Sequence, residues 1–177
     1  MLISDHHRVL YQQYYAAHPP CVLRPHRWQP LVERLVQATG ALSILDYGCG
    51  PAANLARFAP WLVHNYDPGV PEFAGAPAPA DLVVCMHALE HVEPDCLGAV
   101  LAHLRVCTSG YVLVVVSCQS STKLLPDGTP WHTCVHNGAW WQTRLQSLGA
   151  EILRIADDDM PTQSYGGLYR REDLSYG

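Results

Sequence analysis

Residues 41–58, ALSILDYGCGPAANLARF, pass from an apolar run through a glycine-rich turn into residues with helical spacing. Residues 42–45 predict a strand, and Leu55 and Phe58 predict the inner face of a helix. Gly48 and Gly50 allow the backbone to turn tightly and approach a ligand, and the start of a helix offers unpaired N–H groups. The stretch predicts a strand–turn–helix unit, whose turn either binds a ligand or only reverses the chain.

The rest of the chain repeats this alternation of strands and helices. Helices are predicted at 30–39, from Pro94 onward, and around Trp141, Leu145 and Leu148; strands are predicted at 61–67, 82–86, 110–117, 151–158 and 163–170. Continuous apolar strands between helices are typical of a mostly parallel sheet covered on both faces. The last two strands would close it as an antiparallel hairpin. We expect one domain, 1–177, in which 1–28 form an N-terminal arm or lid.

Composition excludes several classes of protein. The formal net charge of −5 disfavours an extended nucleic-acid groove, which needs a basic face. No apolar run is long enough to cross a membrane, and the first residues do not resemble a signal peptide. The seven cysteines show no CxxC spacing and are predicted to be reduced thiols. A cytoplasmic protein is expected; the sequence gives no oligomeric state.

Two acidic residues lie beside the predicted turn. Asp46 precedes the glycines, within reach of a cation or a hydroxyl, and Asp67 ends the next strand, where a carboxylate would accept hydrogen bonds from both hydroxyls of a ribose. Gly48-x-Gly50-x-x-Ala53 also fits the loose dinucleotide fingerprint. A nicotinamide-dependent oxidoreductase is therefore an alternative, although the chain has no room for a separate substrate domain.

The motifs ILDYGCG, YDP and ADLVVCMHALEHVEP resemble those of class I S-adenosylmethionine-dependent methyltransferases, over about residues 42–141. The segments YDP…PEF, EHVEP and LPDG…H…WW are most similar to small bacterial and phage-encoded methyltransferase-like proteins. The resemblance implies a Rossmann-like class I methyltransferase sheet and S-adenosylmethionine as cofactor. It places Asp46, Gly48 and Gly50 at the methionine end of the cofactor and Asp67 at its ribose.

The sequence departs from this family in two places. The third glycine of the motif is replaced by Pro51 or Ala52, and residues 74–80 leave almost no room for a third strand. We therefore expect that strand to be shortened or missing, and Pro68 and Met86 to clamp the adenine instead. A non-catalytic subunit that binds S-adenosylmethionine or a nucleotide is a further alternative.

MHALEHVEPD, residues 86–95, brings His87, Glu90 and His91 directly behind a strand. In a helix these positions share one face, so their side chains would converge on one ion, and His132 follows the neighbouring strand. Small-RNA 2′-O-methyltransferases and some ubiquinone-pathway O-methyltransferases have a similar acidic–x–x–Glu–His cluster that binds a divalent ion, although His87 replaces its acidic residue. The ligands predicted are His87, Glu90, His91 and His132, for Zn, Fe, Mn or Co.

Other interpretations of these histidines stay open. Without a metal, His87 or His132 would be the catalytic base, or the segment is a solvated helix start. His136 is a weaker candidate ligand, and Asp127 with Gly128 indicates a turn. Trp131, Trp140 or Trp141, with Tyr11, Tyr14 or Tyr15, would line an acceptor pocket. The function expected is methyl transfer to a hydroxyl of a small molecule, a nucleotide or a nucleic-acid end.

Overall fold

The computed structural model describes residues 1–18, 28–53, 55, 61–155 and 164–171. Its centre is a six-stranded sheet in the order β2-β1-β3-β4-β6-β5. The four strands β1 to β4 are parallel, and β6 is antiparallel to β4 and β5. The strands are β1 (Ile44–Tyr47), β2 (Val63–Tyr66), β3 (Ala80–Met86), β4 (Thr108–Ser117), β5 (Ala150–Arg154) and β6 (Ser164–Arg170). The predicted sheet and its closing hairpin are confirmed.

The third strand that the sequence leaves no room for is missing between β2 and β3. Between Tyr66 and Ala80 the described chain has only a 3-10 turn, Pro71–Phe73. The prolines at 68, 71, 77 and 79 have no N–H group, so this segment cannot supply a run of ladder hydrogen bonds. Strand β2 is therefore an edge of the described sheet.

The helices begin and end where local signals place them. They are α1 (Asp5–Ala17), α2 (Gln29–Thr39), α3 (Leu97–Cys107) and α4 (Gly138–Leu145). Pro30 lies in the first turn of α2, and Gly40 ends that helix with a left-handed φ of 68°. The Asn137 side chain caps α4 by accepting a hydrogen bond from the Trp140 N–H. Of the helix predicted after the glycine turn, Leu55 is described and buried, whereas Phe58 lies outside the described residues.

The core has a layer on each face of the sheet. Along β3, Val83 and Cys85 pack toward α3 and α4, whereas Leu82 and Val84 pack toward α2. Alternate side chains of a strand point to opposite faces, so a strand covered on both faces is apolar throughout. This explains the continuous apolar run of β3.

The N-terminal arm is more ordered than the sequence suggests. Residues 5–17 form α1, which begins where the Ser4 hydroxyl accepts a hydrogen bond from the His7 N–H. Leu10 and Tyr11 of this helix are buried in a small cluster with Ile3 and Leu125. The arm therefore packs onto the rest of the domain through a small apolar cluster of its own.

The structure also bears on the cysteines and on the absence of a predicted membrane span. Cys85, Cys96, Cys107 and Cys134 are buried and are not in disulfides, and the reduced state of the protein stays a prediction. None of the described helices is long and apolar enough to cross a bilayer. The cytoplasmic location stays a prediction.

Candidate functional site

A cavity of about 300 Å³ opens at the carboxyl ends of β1, β2 and β3, beneath α1. This is the edge at which parallel α/β sheets bind ligands. The six residues predicted to bind the cofactor all line this cavity, which brings together Asp46, Gly48, Gly50, Asp67, Pro68 and Met86.

The glycine turn is held in a conformation that other residues rarely adopt. Gly48 and Gly50 have φ values of 78° and 60°. A Cβ atom on Gly48 would overlap the Cβ of Ala88, so the turn packs closely against the segment that follows β3. The Gly48 N–H also donates to the Tyr66 carbonyl at 2.7 Å, which ties the turn to β2.

Asp67 is fixed by two backbone N–H groups. Its Oδ2 accepts from Gly50 at 3.0 Å, and its Oδ1 accepts from Gly69 at 2.8 Å. Burial raises the pKa of this carboxyl, and these hydrogen bonds partly oppose the increase. Each oxygen keeps acceptor capacity for a further donor, as a ribose diol would require.

Asp46 lies buried at the end of β1. Burial raises its pKa to about 7, and the nearby Asp67 contributes to this increase. Two carboxyl groups close together in a buried cavity favour a ligand that brings a cation or hydroxyl donors.

Helix α1 covers one side of the cavity with aromatic side chains. Tyr11, Tyr15 and Trp131 line the cavity, and the Tyr11 hydroxyl donates to the His91 carbonyl at 2.7 Å. At the start of this helix, Glu93 accepts a hydrogen bond from the Ser4 N–H at 2.8 Å. The cavity thus has an aromatic wall, and His91 is also among the residues that line it.

Three of the four predicted metal ligands lie together. Glu90, His91 and His132 each offer a ligand atom, and these atoms lie within 4.8 Å of one another. The Nδ1 of His91 donates to the Trp131 carbonyl at 2.8 Å, and the Nδ1 of His132 donates to the Gln119 carbonyl at 2.6 Å. A carbonyl can only accept, so both neutral imidazoles carry their proton on Nδ1 and leave Nε2 free to bind an ion.

The carboxylate of Glu90 is buried, and its Oε2 has no hydrogen-bond partner among the described residues. Burial alone would raise the pKa of this carboxyl, but the hydrogen bond from His87 and the neighbouring imidazoles shift it below its usual value. Burial lowers the pKa of His91. An ionised carboxylate beside a neutral imidazole is the protonation state that metal binding requires.

His87 does not share a helical face with these residues, and that expectation is wrong. Its backbone is left-handed, with φ 53°, and the 3-10 turn begins only at Leu89. The His87 N–H donates to the Val115 carbonyl of β4 at 2.7 Å. Residue 87 is therefore still hydrogen-bonded to the sheet and is not part of a helix. His87 instead places Nδ1 3.1 Å from the Glu90 Oε1, and it lies outside the group of three.

The remaining candidates have structural contacts. His136 stacks on Trp140 with ring centroids 3.6 Å apart, and it is not in the group of donor atoms found among the described residues. Trp141 is fully buried in the core. Asp127 accepts from the Thr129 N–H at 2.9 Å, which confirms the turn. Tyr14 packs on Trp131 outside the cavity lining.

Sequence reasoning missed two residues near the site, Trp28 and Glu93. The Trp28 Nε1–H donates to the His87 Nε2 at 3.4 Å, and Glu93 anchors α1. The EHVEP motif contains Glu93, but no local pattern indicates that its partner is the N-terminus.

A family model described as a methyltransferase domain matches residues 23–154. Together with the sheet order and the glycine turn, this match shows that the chain belongs to the class I S-adenosylmethionine-dependent methyltransferases, as the motifs predict. No curated protein matches the chain.

Solved structures have the same fold at low sequence identity. A 1,6-didemethyltoxoflavin-N1-methyltransferase from Burkholderia thailandensis, solved with S-adenosylhomocysteine, is 17% identical with a TM-score of 0.65, over 98% of this chain and 92% of that chain. The N-methyltransferase NodS from Bradyrhizobium japonicum, also with S-adenosylhomocysteine, is 15% identical with a TM-score of 0.63, over 96% of this chain and 100% of that chain. The DhpI structure with SAM and HEP is 17% identical with a TM-score of 0.58, over 95% of each chain. The Rossmann-like methyltransferase fold is thereby confirmed.

Proposed function

We propose that this protein transfers the methyl group of S-adenosylmethionine to a hydroxyl of a small molecule or nucleotide, with a divalent ion at Glu90, His91 and His132. The observation that carries this proposal is the pairing of the glycine turn with Asp67, joined by the hydrogen bond from the Gly50 N–H. The cavity volume of about 300 Å³ is at the lower end for small-molecule sites.

The residues present suit S-adenosylmethionine. The Asp67 oxygens have acceptor capacity for two ribose hydroxyls, and Asp46 offers a carboxyl group to the amino end of the methionine. A cationic group there would favour the ionised form of Asp46 and offset the cost of its burial. Pro68 and Met86 supply apolar surface beside these acids.

The residues also suit a divalent ion. The unpartnered Oε2 of a buried Glu90 costs free energy unless a cation or a donor satisfies it. Two imidazoles with one carboxylate are donors that Zn, Fe, Mn and Co accept. When bound, such an ion would orient the acceptor oxygen and lower the pKa of its hydroxyl.

The transfer itself is an in-line displacement. A bond forms between the acceptor oxygen and the methyl carbon, the carbon–sulfur bond breaks, and its electron pair stays on sulfur. The hydroxyl proton leaves to water or to a histidine. The part of the protein is to hold the two reactants in line, and Tyr11, Tyr15 and Trp131 reduce access of water.

The acceptor atom can be an oxygen or a nitrogen. Two of the similar structures are named as N-methyltransferases, and an amine acceptor is the second candidate. The possible metal ligands at residues 90, 91 and 132 support an oxygen acceptor, because a bound ion stabilises a negatively charged oxygen more than a neutral nitrogen. The described residues that line the cavity include no lysine or arginine, which suits a small acceptor better than a nucleic-acid backbone.

Calorimetry with S-adenosylhomocysteine and with NAD tests the proposal. S-adenosylhomocysteine should bind, and Asp67→Ala should weaken binding by about 1–3 kcal/mol through lost charge-assisted hydrogen bonds. The exposed Asp95 gives a matched control, since Asp95→Ala should leave the affinity unchanged. Binding of NAD without any response to S-adenosylhomocysteine would favour an oxidoreductase instead, and cofactor binding without methyl transfer to any hydroxyl or amine would indicate a binding subunit.

A further inference from the structure

We infer that His87 is not a metal ligand but a positioning residue, which with Trp28 orients the Glu90 carboxylate toward the ion. This inference rests on the metal part of the proposed function. In this assignment, His87 directly after β3 and Trp28 at the start of α2 support Glu90 without binding the ion themselves.

The two oxygens of Glu90 have different surroundings. Oε1 accepts from the His87 Nδ1 at 3.1 Å and from the Ser117 N–H at 3.2 Å. Oε2 is buried and has no partner among the described residues. His87 and the end of β4 therefore determine which oxygen remains for an ion, as supporting hydrogen bonds to metal-binding carboxylates do.

The ring of His87 has both nitrogens engaged. The Trp28 Nε1–H donates to Nε2 at 3.4 Å, so the neutral imidazole carries its proton on Nδ1 and donates it to Glu90. An indole N–H is only a donor, which fixes the direction of both hydrogen bonds. Binding an ion through either nitrogen of His87 would break one of these contacts.

The backbone of His87 supports the same assignment. A left-handed φ of 53° is strained for a residue with a side chain. The Val115 carbonyl holds the His87 N–H in this conformation, and Trp28 is buried where α2 begins. Strain that the surroundings maintain is frequent where a side chain must be placed accurately.

With His87 in this role, the protein supplies three ligands rather than four. Catalytic metal sites commonly have three protein ligands and an open position, whereas four ligands close a structural site. The positions that stay open are available to the acceptor hydroxyl.

The test is titration of the metal-free protein with Co²⁺, followed by its visible absorption, with Zn²⁺ competition as a second measure of affinity. His91→Ala should abolish binding. His87→Ala should weaken it by about 10–100-fold, the usual effect of removing a supporting hydrogen bond. His87→Asn should restore most of the affinity, because its amide can donate to Oε1 from the place of Nδ1. Trp28→Phe should cause a smaller loss, and His136→Ala, outside the cluster, none.

Thermal unfolding and S-adenosylhomocysteine binding, measured on each variant, separate loss of the site from loss of the fold. If His87→Ala loses Co²⁺ as completely as His91→Ala and His87→Asn restores nothing, His87 is a ligand and the inference is wrong. Unchanged affinity in His87→Ala overturns it as well. If the natural protein binds S-adenosylhomocysteine but no metal, the metal part of the proposed function fails together with this inference, while the methyltransferase proposal stands.

Discussion

At the scale of single residues, the site is defined by two acids, Asp46 and Asp67, whose pKa values burial raises. Asp46 has its pKa raised to about 7, and that of Asp67 is raised in the same direction. Without a ligand, Asp46 is therefore only partly ionised at neutral pH. A ligand with a cation and hydroxyl groups favours the ionised form, so its binding near pH 7 should release protons.

The raised pKa of Asp46 gives a prediction for stability. Between the ordinary value of 3.8 and about 7, the folded protein binds more protons at Asp46 than the unfolded chain does. The contribution of Asp46 to the free energy of unfolding is therefore present at low pH and is lost as pH rises through this window. Asp46→Asn keeps the neutral form, so the variant should match the natural protein near pH 4 and exceed it by about 2–4 kcal/mol above pH 7.

Urea unfolding without cofactor at pH 4 and pH 8 measures this difference. Asp95→Asn, at an exposed position, is the control and should show no pH-dependent gain. A gain for Asp46→Asn that is the same at both pH values would contradict the assigned pKa.

Some backbone conformations of the site could be predicted from the sequence, and others could not. The roles of Gly48 and Gly50 could be predicted, because positive φ values are what glycine allows locally. The left-handed backbone of His87 could not, because it depends on Val115, on another strand. Likewise, the Trp28 contact joins residues 59 positions apart, and no periodicity reports such a pair.

At the scale of elements, α1 is the segment most closely linked to ligand access. The Ser4 N–H donates to the Glu93 carboxylate, His7 lies 3.4 Å from that carboxylate, and Tyr11 donates to the His91 carbonyl. The helix therefore contacts the same segment that contains the proposed metal ligands. Its role as a lid that orders on cofactor binding stays a prediction.

Glu93→Ala should loosen α1, because two contacts to the start of the helix are removed together. We expect hydrogen exchange of α1 amides to become about 10–100-fold faster, since a hydrogen bond to a charged group contributes about 1.5–3 kcal/mol. S-adenosylhomocysteine should slow that exchange. Mass spectrometry of exchange measures both effects, with the exposed Glu72→Ala as control. Equal exchange in Glu93→Ala and the natural protein would show that this contact does not hold the helix.

Elements were predictable to different degrees. The strands β3 and β4 could be predicted from their apolar runs, because a strand buried on both faces has consecutive apolar residues. Helix α1 was hidden, because its buried side includes His7 and Tyr11, which do not mark an apolar face. The spacing of residues 87, 90 and 91 fits an α-helix as well as the 3-10 turn found here, so spacing alone could not distinguish the two.

At the scale of the whole molecule, the missing third strand changes how the cofactor meets the protein. Residues 68–80 contain one ionisable side chain, Glu72, which is exposed. Among the described residues 61–80 at this edge of the sheet, Asp67 is the one carboxylate that is not exposed. Pro68 and Met86 line the cavity, and that they hold the adenine by apolar contact stays a prediction.

Recognition by apolar contact predicts tolerance toward changes of the adenine amino group. S-inosylhomocysteine, in which a carbonyl replaces that group, should bind within about threefold of S-adenosylhomocysteine, because no charged acceptor is lost. Calorimetry with both ligands measures the ratio, and Glu72→Ala should leave it unchanged. A preference of about 10–100-fold for S-adenosylhomocysteine would mean that a charged side chain binds the amino group.

The turn Leu89–His91 has one further consequence, for the order in which the protein is made. The Glu90 carbonyl accepts hydrogen bonds from the N–H groups of Thr133 and Cys134, and the His91 ring donates to the Trp131 carbonyl. Translation delivers these partners well after the turn itself, so a ribosome-bound chain that ends before residue 134 holds the turn without its supports. The ion proposed at Glu90, His91 and His132 could therefore bind in its final geometry only after the ribosome has added residue 134, and a shorter unfinished chain would lack that site.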